Sequence, residues 1–218
     1  AMQGAAMMEA IQIRSCPRHH LLPSAFKSLI RVISQDELVK LRKLIEKGNL
    51  AEVKKLVWEN PRYLVSSGDF PTILHEGCRY NALHVSTKPF NAPMTHLLLE
   101  TIGDPAFTTL LYDGPPTAHT YIERSDILLD LYLNTPDKAL NETPLHFASK
   151  FGSVECVRRL ITCSKTQVNA RNKEGKTPLD IMQSHMVTML LATYLEVKRI
   201  CQVRARITMK HSNHIICI

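Results

Sequence analysis

A four-residue string recurs along this chain, and the spacing of its copies constrains the fold more than any other feature. Thr143-Pro144-Leu145-His146 recurs further on as Thr177-Pro178-Leu179-Asp180, and Asn81-Ala82-Leu83-His84 is a third, weaker copy. Each copy is followed by apolar residues at the spacing of an amphipathic helix. The best copy continues through Phe151-Gly152 into a second helical pattern. The chain therefore repeats a unit of helix, break and helix.

The residue types in this string suit a structural role. The hydroxyl of Thr143 can accept a hydrogen bond at a helix start, and Pro144 fits the first helical position. The imidazole of His146 can donate and accept at once, so it can join backbone groups of adjoining loops. A period of about 33 residues with this string is typical of ankyrin repeats. We assign this stacking role to seven residues: Asn81, His84, Thr143, Pro144, His146, Thr177 and Pro178.

The repeats predict an all-α ankyrin-repeat solenoid of about four units. The helix pairs lie at about 34–66, 69–102, 133–165 and 166–197. The separation between Asn81 and Thr143 is almost twice one period. We therefore predict a helical insertion at about 103–132, between the second and third repeats. Terminal units of such arrays need covering, and units bury their faces only by stacking.

The excess positive charge lies in the two flanks. Residues 1–33 carry four basic residues against one acidic residue, and residues 181–218 carry five against one. Residues 34–180 hold 18 of each, so the repeat body is neutral and lacks electrostatic support for nucleic-acid binding. We predict three parts: a flank at 1–33, partly disordered or helical, the ankyrin-repeat domain at 34–197, and a basic tail or capping helix at 198–218.

No arrangement in the sequence predicts catalysis or a metal site. His84 and His146 hold equivalent repeat positions, so they belong to different seams and cannot share a metal ion. The clusters Cys16-Pro17-Arg18-His19-His20 and His211-x-x-His214 each lack a second half. There is no glycine-rich phosphate loop or nucleophile elbow. The longest apolar run, Met186 to Leu195, is shorter than the roughly 20 residues of a membrane span. We expect no enzyme activity, cofactor, metal or membrane span.

After these exclusions, protein binding is the function that the sequence predicts. Ankyrin arrays present their hairpin tips and first helices along one extended concave surface. We predict that the exposed tip residues on this surface contact a protein partner. These residues are Arg79, Tyr80, Thr135, Asp137, Lys138, Arg171, Asn172, Lys173 and Lys176.

Several strings outside the repeat consensus point to one family. NPRYLVSSGDFPTILHEGCRYNALHV (60–85), DLYLNTPDKALNETPLHFASKFG (130–152) and DPAFTTLLY within the insertion resemble the ankyrin region of the ankyrin repeat and LEM domain-containing protein 2 family. The resemblance covers about 36–182. It implies a non-enzymatic scaffold of the endoplasmic reticulum and nuclear envelope, on the cytoplasmic or nuclear face. Such a scaffold engages protein phosphatase 2A, opposes vaccinia-related kinase and promotes dephosphorylation of barrier-to-autointegration factor for nuclear envelope reassembly after mitosis.

Two alternatives of other classes stay open at this point. The first is a basic-flanked ankyrin adaptor that binds nucleic acid or anionic membrane through its tails. The second is a hydrolase hidden in the insertion, where the acid and base groups are His119, Glu123, Asp126 and Asp130. Their spacing fits a solvated helix face. We recognise neither a membrane anchor nor a LEM domain, so the resemblance does not extend membrane residence or chromatin contact through those parts to this chain.

Overall fold

Short helices arranged in pairs build this protein. A computed structural model describes residues 31–88, 91–112 and 118–184, together with Lys198, Arg199 and Gln202. The α-helices in these ranges are α1 (Gln35–Lys47), α2 (Leu50–Glu59), α3 (Ala82–Thr87), α4 (Ala92–Gly103), α5 (Pro105–Thr109), α6 (Ala118–Asn134), α7 (Pro144–Lys150), α8 (Val154–Thr162) and α9 (Pro178–Ser184). The chain is thus an all-α ankyrin-repeat solenoid, and the predicted fold class is confirmed.

Several predictions concern residues outside the described ranges. They include the structure of nearly all of the N-terminal flank, the second helix of the fourth repeat and most of the basic tail. The two histidine-containing clusters near the termini also lie outside. The alternative in which the tails bind nucleic acid or membrane therefore stays a prediction, as do the three domain boundaries.

The first repeat shows how local sequence sets helix ends. The Ser34 hydroxyl accepts the Glu37 N–H at 3.4 Å, and the Glu37 carboxylate accepts the Ser34 N–H at 3.1 Å. This reciprocal pair is a capping box that satisfies two N–H groups at the start of α1. Gly48 ends α1 in the left-handed conformation, with φ of 74°. Between these ends, α1 buries Leu38, Leu41 and Ile45 in the core.

The insertion does not interrupt the stack. The first helices of successive repeats pack side by side, α1 on α3, α3 on α7 and α7 on α9. The second helices form a parallel layer in which α2 packs on α4 and α4 packs on α8. Repeats two and three are therefore direct neighbours. Their motifs nevertheless begin far apart in sequence, at Asn81 and Thr143. The inserted helices α5 and α6 pack against α4 and against each other.

Two aromatic side chains join the insertion to the repeat core. Phe107 of α5 is fully buried and meets Trp58 of α2 edge to face, with ring centroids 5.7 Å apart. Tyr132 of α6 is also fully buried, and its hydroxyl donates to the Leu64 carbonyl at 2.6 Å. Each large aromatic removes much apolar surface from water. The insertion therefore completes the core of the first two repeats.

Gly48→Ala is expected to cost about 2 kcal/mol of unfolding free energy, against about 1 kcal/mol for Gly175→Ala. Both glycines have φ of +74°, where a Cβ is strained. At Gly175 an added Cβ meets nothing within 4 Å, whereas at Gly48 it would lie 3.0 Å from Asn91 Nδ2. This amide donates to the Ile45 carbonyl at the end of α1. Urea denaturation of both variants measures the difference. Equal costs would show that the Asn91 bond contributes nothing.

Candidate protein-interaction surface

The hairpin tips of repeats two, three and four, at 75–80, 137–142 and 171–176, are joined in register by backbone hydrogen bonds. The Lys138 N–H donates to the Cys78 carbonyl at 2.9 Å, which links the third tip to the second. The Lys173 N–H donates to the Leu140 carbonyl at 2.8 Å, which links the fourth tip to the third. The two donors are separated in sequence by close to one repeat period. The tips therefore form one continuous row along the solenoid.

Buried histidines connect the helices to this row. His84 Nε2–H donates to the Glu142 carbonyl at 3.1 Å, and His146 Nε2–H donates to the Lys176 carbonyl at 3.3 Å. The Thr143 hydroxyl donates to His146 Nδ1 at 2.9 Å, which places the imidazole. Burial lowers the pKa of His84 to about 4 and also lowers the pKa of His146. Both rings are thus neutral near pH 7, and each joins one repeat to the next tip.

Two copies of the motif depart from the Thr-Pro-Leu-His string, and each departure has a local explanation. Asn81 caps α3 by accepting the His84 N–H at 3.1 Å, and its amide donates to the Tyr132 carbonyl of α6 at 3.2 Å. A threonine side chain has no amide N–H that could form this second bond. Asparagine therefore suits the repeat that packs beside the insertion. Asp180 accepts the Thr177 N–H at 2.9 Å and caps α9 without reaching another repeat. Pro144 and Pro178 are the first residues of α7 and α9.

Most predicted contact residues lie on the row of tips, but the expectation of exposure is wrong for two of them. The exposed members are Arg79, Lys138, Arg171, Lys173 and Lys176, and Tyr80 and Thr135 are partly exposed. Asp137 and Asn172 retain only 3% and 6% of their accessible surface.

Asp137 and Asn172 are buried because they bind their own backbone. The Asp137 carboxylate accepts N–H groups from Leu140 and Glu142, at 3.3 and 2.7 Å. The Asn172 carbonyl oxygen accepts the Lys176 N–H at 3.0 Å. Aspartate and asparagine commonly stabilise turns in this way. These two residues therefore shape the tips.

A group of aromatic side chains that sequence reasoning missed lies beside the tips of repeats two and three. We call it the aromatic patch; its members are Tyr80, Phe147 and Phe151. The ring centroid of Phe147 lies 5.0 Å from that of Tyr80 and 6.0 Å from that of Phe151. The Lys88 ammonium lies 4.3 Å from the centroid of the Tyr80 ring. The members come from different repeats, so only the stacked fold brings them together.

A second surface feature is a cleft of about 390 Å³ between the insertion and the turn at 65–71. Its lining includes Val65 and Asp69 of this turn, and Tyr112, Arg124 and Ile127 of the insertion. The Arg124 guanidinium lies 3.8 Å from the centroid of the Tyr112 ring and 4.0 Å from the Asp69 carboxylate. Ile127 is 61% exposed at the cleft. We call this feature the insertion cleft.

Within the described ranges, the histidines, cysteines and carboxylates do not form a metal-binding group. No three His, Cys, Asp or Glu side chains of these residues gather at distances that could hold a metal ion. His119 Nδ1 lies 3.4 Å from Glu123 Oε1, and both side chains are more than half exposed. This pair fits the solvated helix face that the sequence predicted for the insertion. None of the helices searched is long and apolar enough to cross a membrane.

Comparison with known proteins agrees with this geometry. The family model "Ankyrin repeats (3 copies)" matches residues 117–199. Ankyrin repeat and LEM domain-containing protein 2 of Rattus norvegicus is 47% identical over 150 residues, which cover 68% of this chain and 15% of that protein. The human protein is 46% identical over 149 residues, 68% of this chain and 16% of that protein. The Drosophila melanogaster homolog is 43% identical over 170 residues, 78% of this chain and 14% of that protein.

One chain in a solved structure, the complex of yeast ribosomal protein Rps3 with its chaperone Yar1, is similar to this chain. The similarity covers 70% of this chain and 86% of that chain, with 19% sequence identity and a TM-score of 0.48. This chain spans between 14% and 16% of the length of the rat, human and fly relatives. The identity with these three relatives lies between 43% and 47% and extends over at least 149 residues. The ankyrin-repeat region of this chain therefore belongs to the ankyrin repeat and LEM domain-containing protein 2 family.

Proposed function

We propose that this chain is a non-enzymatic scaffold that engages protein phosphatase 2A, opposes vaccinia-related kinase and promotes dephosphorylation of barrier-to-autointegration factor. It acts at the endoplasmic reticulum and nuclear envelope, where it supports envelope reassembly at mitotic exit. The coarser part of this function, an ankyrin-repeat scaffold for protein interactions, follows from the family and the fold. The named partners come from the resemblance.

One structural observation supports a dedicated partner. The strings that distinguish this family from other ankyrin proteins include Ser67-Gly68-Asp69, in the turn at 65–71, and the insertion. These segments are distant in sequence, yet both line the insertion cleft. Stacking of repeats does not require such a cleft, since repeat units contact only their neighbours. We therefore place the phosphatase at the insertion cleft, with exposed Ile127 as an apolar contact.

The exposed tip residues are the second part of the proposed contact surface. Arg79, Lys138, Arg171, Lys173 and Lys176 project from the row of tips. The row is fixed by backbone bonds between repeats, so a partner meets a preformed surface and loses little binding free energy to ordering of the tips.

Capture of purified protein phosphatase 2A by the immobilised 218-residue chain tests the proposal. We expect capture at about 0.15 M salt, and about tenfold less with Ile127→Glu, because the new carboxylate would be desolvated under the partner. Ile122→Glu is the matched control. It changes an exposed isoleucine of the same helix, 50% exposed, that does not line the insertion cleft. Capture by this variant should stay within about twofold of the original.

A second measurement tests the consequence of binding. The chain is expected to speed dephosphorylation of phosphorylated barrier-to-autointegration factor by purified protein phosphatase 2A, and Ile127→Glu should remove most of this gain. Failure of the original chain both to capture the phosphatase and to change this rate would reject the proposed partner. Equal loss of capture with both isoleucine variants would reject the insertion cleft as the docking site.

A further inference from the structure

Cations of three repeats lie on the tips next to Tyr80 of the aromatic patch. Arg79 and Lys138 are exposed on the second and third tips. The Lys173 ammonium donates to the Lys138 and Ala139 carbonyls, at 3.1 and 2.6 Å, so its charge lies at the third tip. Lys88 lies over the Tyr80 ring. These cations come from three repeats, and Tyr80 of the aromatic patch follows Arg79 directly in the second tip.

The carboxylates of this region offset only part of that charge. Asp137 and Glu142 are buried, and each has 3% of its surface accessible. Glu142 accepts from the Lys150 ammonium at 3.1 Å and from the Asn172 amide at 3.3 Å. Glu174 is exposed but forms an ion pair with Lys176 at 2.8 Å.

The remaining exposed carboxylate among the described residues of these tips points to another part of the stack. Glu76 accepts from the Gln35 amide at 3.2 Å, towards the first repeat. The surface that faces a partner therefore combines exposed cations with an apolar contact at Phe151, which is 38% exposed.

We infer that the aromatic patch and its surrounding cations bind an extended acidic peptide segment that carries an apolar anchor residue. Carboxylates of the segment would meet Arg79, Lys138 and Lys173, while the anchor would cover Phe151. Charge complementarity of this kind guides encounter and sets register. The inference rests on the proposed scaffold function but not on the phosphatase as partner.

The geometry favours a peptide over a nucleic acid. Single-stranded nucleic acids bind basic grooves by stacking bases on free aromatic faces. Here the Tyr80 ring stacks with His84 at a centroid distance of 5.7 Å, and it is also in contact with Phe147 and Lys88. Phe147 is 4% exposed. Neither ring offers a free platform to a base, whereas the edge formed by Phe151 suits a single side chain.

The test follows the anisotropy of a fluorescein-labelled peptide of alternating glutamate and leucine with one central phenylalanine. The 218-residue chain is expected to bind it at about 0.15 M salt, and binding should weaken as ionic strength rises. The double variant Arg79→Glu/Lys138→Glu is expected to weaken binding about tenfold or more. Phe151→Ala should weaken it by about threefold or more, which tests the apolar contact without a change of charge.

Lys54→Glu/Lys55→Glu is the matched control, because it makes the same change of net charge at two exposed lysines of α2. It should change affinity less than about twofold. Equal losses in the two double variants would overturn the inference, and so would absence of peptide binding. Fluorescein-labelled oligothymidylate is the competing probe. If it binds more tightly than the peptide and loses affinity in Arg79→Glu/Lys138→Glu, the surface is a nucleic-acid site and the inference is wrong.

Phosphatase capture separates this inference from the proposed function. If the acidic peptide fails to bind while the original chain still captures protein phosphatase 2A, the peptide inference alone is rejected. If the peptide binds as expected and the phosphatase is not captured, the named partner is rejected while the acidic-segment site stands.

Discussion

Acidification from about pH 7 to about pH 4 is expected to destabilise this protein by about 3 kcal/mol through His84 alone. Burial lowers the pKa of His84 from 6.5 in the unfolded chain to about 4 in the fold. The unfolded chain therefore takes up a proton first as the pH falls. The stabilising effect of neutral His84 is complete above pH 6.5, and it is lost progressively as the pH falls towards 4.

His146 acts in the same direction, because burial lowers its pKa as well. Both rings use Nε2–H as a donor to the next repeat and Nδ1 as an acceptor of a backbone N–H in their own repeat, so protonation removes that acceptor at the start of α3 and of α7. Hydrogen bonds from Arg31 and Ser34 lower the pKa of Glu37 to about 2, from 4.5. This carboxylate starts to lower stability only below about pH 4.5, so the histidines dominate the window above it.

Urea denaturation at several pH values measures this effect. We expect the slope of unfolding free energy against pH to become shallower in His84→Gln, although that variant is also less stable at neutral pH. His96→Gln is the matched control, since His96 is a partly exposed residue of α4 and both seam histidines remain. A pH slope in His84→Gln equal to that of the original chain would show that His84 titrates normally.

The repeat stack was predictable from sequence because each residue of the string acts on its immediate surroundings. Thr143 and His146 are close neighbours in sequence and bond each other directly. The stacking of α3 on α7 then follows from repetition of the unit. The capping box of Ser34 and Glu37 follows the same local logic, because its two members are near neighbours in sequence.

Features that depend on distant residues were not predictable in this way. Asp137 reads as a polar tip residue, and only the closed turn shows that its carboxylate is occupied by N–H groups. An aspartate that opens a turn was the available signal for this. The aromatic patch joins Tyr80 to Phe147, which lies beyond the whole insertion in sequence, so no periodic pattern marks it. Sequence placed the insertion but gave no sign that it completes the core.

Tyr132→Ala is therefore the mutation with the largest expected effect, a loss of about 4 kcal/mol of unfolding free energy. The side chain is fully buried, and truncation would leave a cavity between α6 and the first two repeats. Tyr132→Phe should cost only about 1 kcal/mol. The Leu64 carbonyl would keep its bond from the Thr72 N–H, at 2.8 Å, after the hydroxyl is removed.

Chemical denaturation compares these variants with Ile127→Ala, which truncates an exposed residue of the same helix and should change stability by less than about 0.5 kcal/mol. A cost for Tyr132→Ala close to that of Ile127→Ala would mean that the insertion is peripheral to the core.

The outcome also decides how partner binding can be mapped. If Tyr132 contributes as expected, deletion of residues 103–132 would remove both Phe107 and Tyr132 from the core. Loss of capture by such a deletion would then report unfolding, so single substitutions at exposed residues are the informative variants.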